Sequence, residues 1–374
     1  MNHSIFVAIA AAVMLAQSAC AQEESEAREV VYAGITYSTT SETAEVREFL
    51  GRPSLFVDRA FVERPDVSFG NGVIEYDVAA AVPSGFVGIN FRSIDESNFE
   101  QFYVRFHQSD RPDSTQYMSA INGLGAWQIH AGPNDATAVV LPTNEWVHTK
   151  IVVDGDKADI FVTDMETPLL HIADLRLVFG EGPISLYASD RPGMVSGAYF
   201  SNITVRDLEP GEGVIGTPRE EPALPNGLIT TWSVSEPFDE ALMATAENLD
   251  HMDLGQMAWS SLEVEGNGIA NLARLAGPAQ GADTVIARMT LDAEEARVQM
   301  VRFGYSDRVR VFVNGELQFY GNSLWRSRDH RFLGTINWED QIAAHLEPGE
   351  NEIIFAVSES FGGWGVTAAV VPAE

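Results

Sequence analysis

The clearest pattern in the chain starts at Gly72. Four stretches between there and His130 alternate apolar and polar positions with a period of two. That is the signature of half-buried strands, because successive side chains leave a strand on opposite faces. Val73 to Val78 sets Ile74, Tyr76 and Val78 against Glu75 and Asp77. Val87 to Arg92 sets Val87, Ile89 and Phe91 against Gly88, Asn90 and Arg92. Gln101 to His107 sets Phe102, Val104 and Phe106 against Gln101, Tyr103, Arg105 and His107. Trp127 to Ala131 sets Trp127 and Ile129 against Gln128 and His130. The pattern predicts four strands of one sheet whose open face carries carboxylates, guanidiniums, imidazoles, a phenol and amides. Such a face suits polyhydroxylated ligands.

The same patterning continues on both sides. Short strands alternate with turn residues at roughly the 8–12-residue spacing of all-β sandwiches. Asp154-Gly155-Asp156-Lys157 joins Lys150–Val153 to Asp159–Val162 as a hairpin. Ile184 to Ala188 and Ala198 to Val205 are the last strands of a first domain spanning residues 30–208. Residues 209–227 hold Pro210, Gly211, Gly213, Gly216, Pro218, Pro222, Pro225 and Gly227, and read as a linker. Residues 228–374 form a second domain. A short helix is expected over Phe238–Asn248. Strands are expected at Arg297–Tyr305, Val309–Val313, Glu316–Tyr320 and Glu352–Val357, with Asn314-Gly315 as a two-residue turn. The fold class is therefore all-β, with two β-sandwich domains in tandem.

Composition narrows the function. A hydrophobic content of 45% supports packed cores. Lys and Arg number 23 against 54 Asp and Glu, a net charge of −31. That charge repels a phosphate backbone and argues against nucleic acid as a partner. Residues 1–21 read as an export signal, with an unbroken apolar run from Ile5 to Leu15 and a small-residue site at Ala19-Cys20-Ala21. Cys20 is the only cysteine, so disulfides are excluded; it would leave with the leader or become a lipid anchor. Residues 22–29 read as an acidic tether. No later stretch approaches the ~20 apolar residues of a transmembrane helix. The expected location is periplasmic, outer-membrane-associated or extracellular.

The first domain resembles the concanavalin A-like, laminin G-like sandwich superfamily. The resemblance rests on Gly72-Val-Ile-Glu-Tyr-Asp77, Phe86-Val-Gly-Ile-Asn-Phe-Arg92, Phe102-Tyr-Val-Arg105 and Glu145-Trp-Val-His-Thr-Lys-Ile151. The second domain resembles a galactose-binding-like jelly roll. There the residues are Phe303-Gly-Tyr-Ser-Asp307, Val309-Arg-Val-Phe-Val-Asn-Gly315, Gly349-Glu-Asn-Glu-Ile-Ile-Phe355 and Gly362-Gly363-Trp364-Gly365. The first resemblance implies lectins, carbohydrate-binding modules, glucanases or 3-keto-disaccharide hydrolases. The second implies a sugar-binding accessory module or a spacer.

Candidate chemistry follows from these two lines. Glu75 and Asp77 share a strand face about 6.6 Å apart by rise alone, near the separation an inverting glycosidase uses. The Glu-x-Asp-x-x-Glu pattern of the superfamily's glucanases is incomplete, since Val78, Ala79 and Ala80 follow. Asn90, Arg92, Gln101, Tyr103, Arg105, His107, Gln128 and His130 form the expected carbohydrate-binding wall. Trp325 and Arg326 are the corresponding candidates in the second domain, while Trp364 is expected to be buried in its core. Asp154, Asp156 and Asp159 crowd one hairpin and raise calcium as a cofactor, although an Asp-Gly turn needs no metal. No Ser-His-Asp set, phosphate loop or dinucleotide turn is present. The expected function is binding of carbohydrate or a glycan-bearing surface by an exported protein. The alternatives are a sugar-processing hydrolase and a structural envelope protein.

Overall fold

The computed structural model describes residues 27–83, 85–177, 180–189 and 197–372. The export signal, Cys20 and most of the tether fall outside them; Arg28 already begins a strand. The molecule is all-β, 52% strand and 3% helix, and its strand pairs are antiparallel. The described residues divide into two compact units, those up to 123 with those in 130–221, and 124–129 with those from 222 onward.

The first unit is a sandwich of two sheets. A nine-stranded sheet contributes eight strands to this unit, Arg28–Tyr32, Ile35–Thr39, Ala60–Phe69, Gly182–Ser189, Phe86–Asp95, Asn98–Arg105 and Thr115–Ile121, with Ala136–Thr137 also on Thr115–Ile121. A seven-stranded sheet runs through Leu170–Ile172, Lys157–Val162, Val147–Asp154, Gly72–Ala79, Ala198–Arg206, Arg52–Val57 and Glu45–Phe49. The apolar positions of the alternating pattern meet between them. Val87, Ile89, Phe91, Phe102 and Val104 from one sheet pack against Ile74, Tyr76, Val78, Ile151 and Ile160 from the other. Each fully buried side chain of this size contributes about 1.5–3 kcal/mol.

The expected single four-stranded wall is therefore wrong in two places. Gly72–Ala79 sits in the opposite sheet from Phe86–Asp95 and Asn98–Arg105. Its alternation is real, but it feeds the core from the other side. Trp127 to Ala131 is not a strand. Ala126 and Ile129 pack with Ile269 and Ile336, in the second unit.

The second unit is also a sandwich. Its larger sheet orders Trp259–Glu263, Thr231–Ser235, Thr284–Ala293, Gly349–Ser358, Arg308–Val313 and Glu316–Asn322. Its smaller sheet orders Ala270–Asn271, Gly365–Val370, Arg297–Ser306 and Asp340–Leu346. The Asn314-Gly315 turn has both residues at positive φ, 50° and 87°, as such a hairpin demands. Trp364 is fully buried, with Nε1 donating to Val357 O at 3.0 Å. The expected helix over 238–248 shrinks to one 3-10 turn, Glu240–Met243, capped by Asp239. Met243, Leu249 and their neighbours cover the outer side of Ile286, Phe312 and Ile354, so packing rather than propensity holds this segment. Among the described residues no helix is long and apolar enough to cross a membrane, which says nothing of a β-barrel.

Candidate functional site

The nine-stranded sheet of the first unit turns three cross-strand rows away from its core. Register fixes them. The middle row runs Phe61, Tyr187, Gly88, Tyr103, Gln116. On one side lies a polar row, Glu63, Ser185, Asn90, Gln101, ending at Met118. On the other side Arg105 pairs with Phe86.

The rows are graded in exposure. Phe61 is 41% exposed and stacks on Tyr187 with ring centroids 5.1 Å apart. Glu63, Tyr187 and Phe86 are half-buried. Burial, then the neighbouring Glu96, raises the Glu63 carboxyl above its ordinary value. Further across, the side chains form a closed floor. Gln101 Nε2 donates to Asn90 Oδ1 at 2.6 Å. Tyr103 Oη donates to Gln116 Oε1 at 2.8 Å, and Arg105 donates to Gln116 Oε1 at 2.5 Å and Tyr103 Oη at 3.1 Å. Arg105 also donates to Asp113 O and lies 4.9 Å from the Tyr103 ring centroid. Gly88 has no room for a side chain, because a Cβ there would lie 2.0 Å from Phe102 O. The middle row therefore dips between its two tyrosines.

Several residues expected on an open wall sit elsewhere. Tyr103 and Arg105 are only 4% and 6% exposed. They share a face with Asn90 and Gln101 as expected, but as floor, because each already spends its polar atoms on a neighbour. Arg92 is buried at a bulge, with φ of 50°, and ties Gly70 O, Asn71 Oδ1 and Gly155 O together. His107 lies in a one-turn 3-10 helix, half-buried against Phe86. Gln128 is buried in the second unit, where Oε1 accepts from Ser306 Oγ at 2.9 Å and Gly363 N at 2.8 Å. His130 is fully buried, stacked on Tyr117, with Nδ1 accepting from Ser119 N at 3.3 Å. Tyr117 in turn donates to the buried Glu100 at 2.8 Å, and burial raises that carboxyl.

Glu75 and Asp77 make a different cluster, on the seven-stranded sheet. His148 bridges them: Nδ1 is 2.7 Å from Asp77 Oδ1 and Nε2 is 3.5 Å from Glu75 Oε2. Asp77 Oδ2 accepts from Arg52 at 2.6 Å and Asn202 Nδ2 at 2.7 Å. Arg52 lies over the Trp146 ring at 4.1 Å. The sequence placed His148 only inside a strand motif; its register opposite Asp77 is what brings it to the carboxylates.

The three hairpin aspartates do not converge. Asp154 and Asp156 are exposed, while Asp159 is fully buried and bonded to His171. Among the described residues no group of three acidic, His or Cys side chains is placed to hold a metal ion. In the second unit, the Arg326 guanidinium lies over the Trp325 ring at 4.1 Å, on an exposed loop.

Phe61, Glu63 and Tyr187 were not singled out from sequence. A signal was there: Ala60 to Glu63 alternates, with an aromatic residue on the polar face.

No family model matches the chain, and no curated protein matches it. Among solved structures it is similar to the carbohydrate-binding module CBM66 of Bacillus subtilis, at 18% identity over 46% of this chain and 95% of that one, with a TM-score of 0.34. A β-glucanase of Bacillus licheniformis matches at 13% identity over 44% of this chain and 82% of its own, TM-score 0.31. The galectin LEC-6 of Caenorhabditis elegans matches at 18% identity over 37% and 89%, TM-score 0.26.

Proposed function

We propose that this is an exported protein that binds carbohydrate, or a glycan-bearing surface, on the outward face of its nine-stranded sheet, with the second unit as an accessory module. The observation that carries the reading is the three-row face. A sugar ring offers a patch of C–H groups edged by hydroxyls. Phe61 and Tyr187 supply a flat apolar platform for the patch. Glu63 and Ser185 on one side supply hydroxyl partners. The hydrogen-bonded floor holds the platform rigid, which lowers the entropy cost of binding.

Retention on a panel of polysaccharides tests this. Phe61→Ala is expected to weaken retention by about tenfold, the loss of one aromatic contact worth about 1.4 kcal/mol. Its exposure leaves the fold intact, checked by melting temperature. Unchanged retention contradicts the proposal.

The Glu75–His148–Asp77 set favours a second reading, a sugar-processing hydrolase. A carboxylate held against an imidazole is a proton-transfer arrangement. Here the expected result is release of reducing sugar that Glu75→Gln abolishes; no release from the whole panel removes this reading.

A further inference from the structure

A separate cavity lies on the other sheet of the first unit, under the Pro/Gly-rich segment read as a linker. Asp159 stands on Lys157–Val162, whose Ala158, Ile160 and Val162 face the core, so its carboxylate leaves the opposite face. It pairs across the ladder with His171, Oδ1 to Nδ1 at 2.6 Å. Its Oδ2 accepts from the backbone N–H groups of Ile215 and Gly216, the latter at 2.8 Å. Gly216 approaches this closely because it lacks a side chain: a Cβ there would lie 2.6 Å from Asp159 Oδ1 and 2.9 Å from His171 Nδ1. The strap is fastened again at Asn134, whose Oδ1 accepts from Arg219 N at 2.7 Å while Nδ2 donates to Arg219 O and, at 2.6 Å, to Glu221 Oε1.

Between strap and sheet is a cavity of about 220 Å³, lined among others by His171, Thr217 and Arg219. Two features mark it as built. His171 has its Nδ1 fixed by a buried carboxylate, which sets the orientation of the ring. The Arg219 guanidinium is held by two backbone carbonyls, Leu169 O at 2.6 Å and Pro133 O at 3.0 Å, rather than by a carboxylate. Its plane is fixed, and among the described residues no carboxylate pairs with it.

We infer that this cavity is a second binding site, for a small hydroxylated carboxylate of the sugar-acid class. Arg219 takes the carboxylate, matching its planar donors. The His171 ring pairs with a neighbouring hydroxyl, which can donate or accept, and Thr217 supplies a further polar contact. The cavity is smaller than the roughly 300–1,000 Å³ of pockets for drug-sized ligands, which limits the ligand to about one sugar ring. The inference is independent of the sheet-face reading, because it uses other residues on the other sheet.

Saturation-transfer NMR on the full chain tests it, with D-glucuronate and D-glucose as probes. Glucuronate is expected to bind at least about tenfold more tightly than glucose. Arg219→Gln, a change at an exposed residue, is expected to remove that preference, and Gly216→Ala to weaken glucuronate binding by lifting the strap. Phe61→Ala is expected to leave the glucuronate-over-glucose preference unchanged, which separates this site from the sheet face. Equal binding of the two sugars, an unaltered preference in Arg219→Gln, or no transfer from glucuronate overturns the inference.

Discussion

Arg105 shows how far a residue's type can mislead about its exposure. An arginine at a polar strand position reads as a solvent-facing ligand group, yet its donors go to Asp113 O, Tyr103 Oη and Gln116 Oε1. Alternation gives the face of a side chain; it carries no information on what later folds over that face. Arg105→Ala leaves these acceptors without their donor, so we expect a loss of about 2–4 kcal/mol in urea unfolding. A stability within about 0.5 kcal/mol of wild type would place Arg105 in solvent. A second residue-scale prediction concerns Asp307 and Glu359. Burial pushes the Asp307 carboxyl up to about 6. Glu359 is raised well above its ordinary range by burial and then by Asp307. Both folded-state values lie above the unfolded ones. The pair therefore favours the fold below about pH 4, and this contribution is lost as pH rises through 6 and beyond. Glu359→Gln removes one of the two charges, so its melting temperature at pH 8 is expected to exceed that of wild type, with the gap closing at pH 4. An equal effect at both pH values contradicts the assignment.

At the scale of elements, the hairpins were legible because their turns carry their own chemistry. Asn314-Gly315 and the Asp154 to Lys157 turn are where sequence places them, and the strands beside them differ from expectation only at their ends. Sheet membership was not legible. Gly72–Ala79 and Asn98–Arg105 both alternate cleanly, but the two sheets of a sandwich present the same pattern to their shared core. Nothing in the period tells which sheet a strand joins, so Glu75 and Tyr103 were read onto one wall. Trp127 to Ala131 failed for another reason: four alternating residues also fit a loop that anchors Ile129 in a small apolar cluster. Gly88 gives this level its test. Its strand is pinned against Phe102 O, so Gly88→Ala is expected to cost more than about 2 kcal/mol, a loss read by chemical denaturation. Tolerance of alanine would show that these two strands are not in this register.

For the molecule as a whole, each unit has its own apolar core. The second unit draws on residues 124–129: Ile129 packs with Ile269 and Ile336, and Gln128 supplies the acceptor for Ser306 and Gly363. Residues 222–374 alone are therefore expected to melt at a lower temperature than the second unit does in the full chain; an equal melting temperature would show that the segment is dispensable. The functional account stands on one face of one sheet, and mapping the ligand on the intact protein tests it most directly. Hydrogen–deuterium exchange with a retained polysaccharide should slow exchange in residues 60–63 and 185–189. Protection confined to residues 72–79 and 147–154, on the Glu75–His148–Asp77 side, would contradict it.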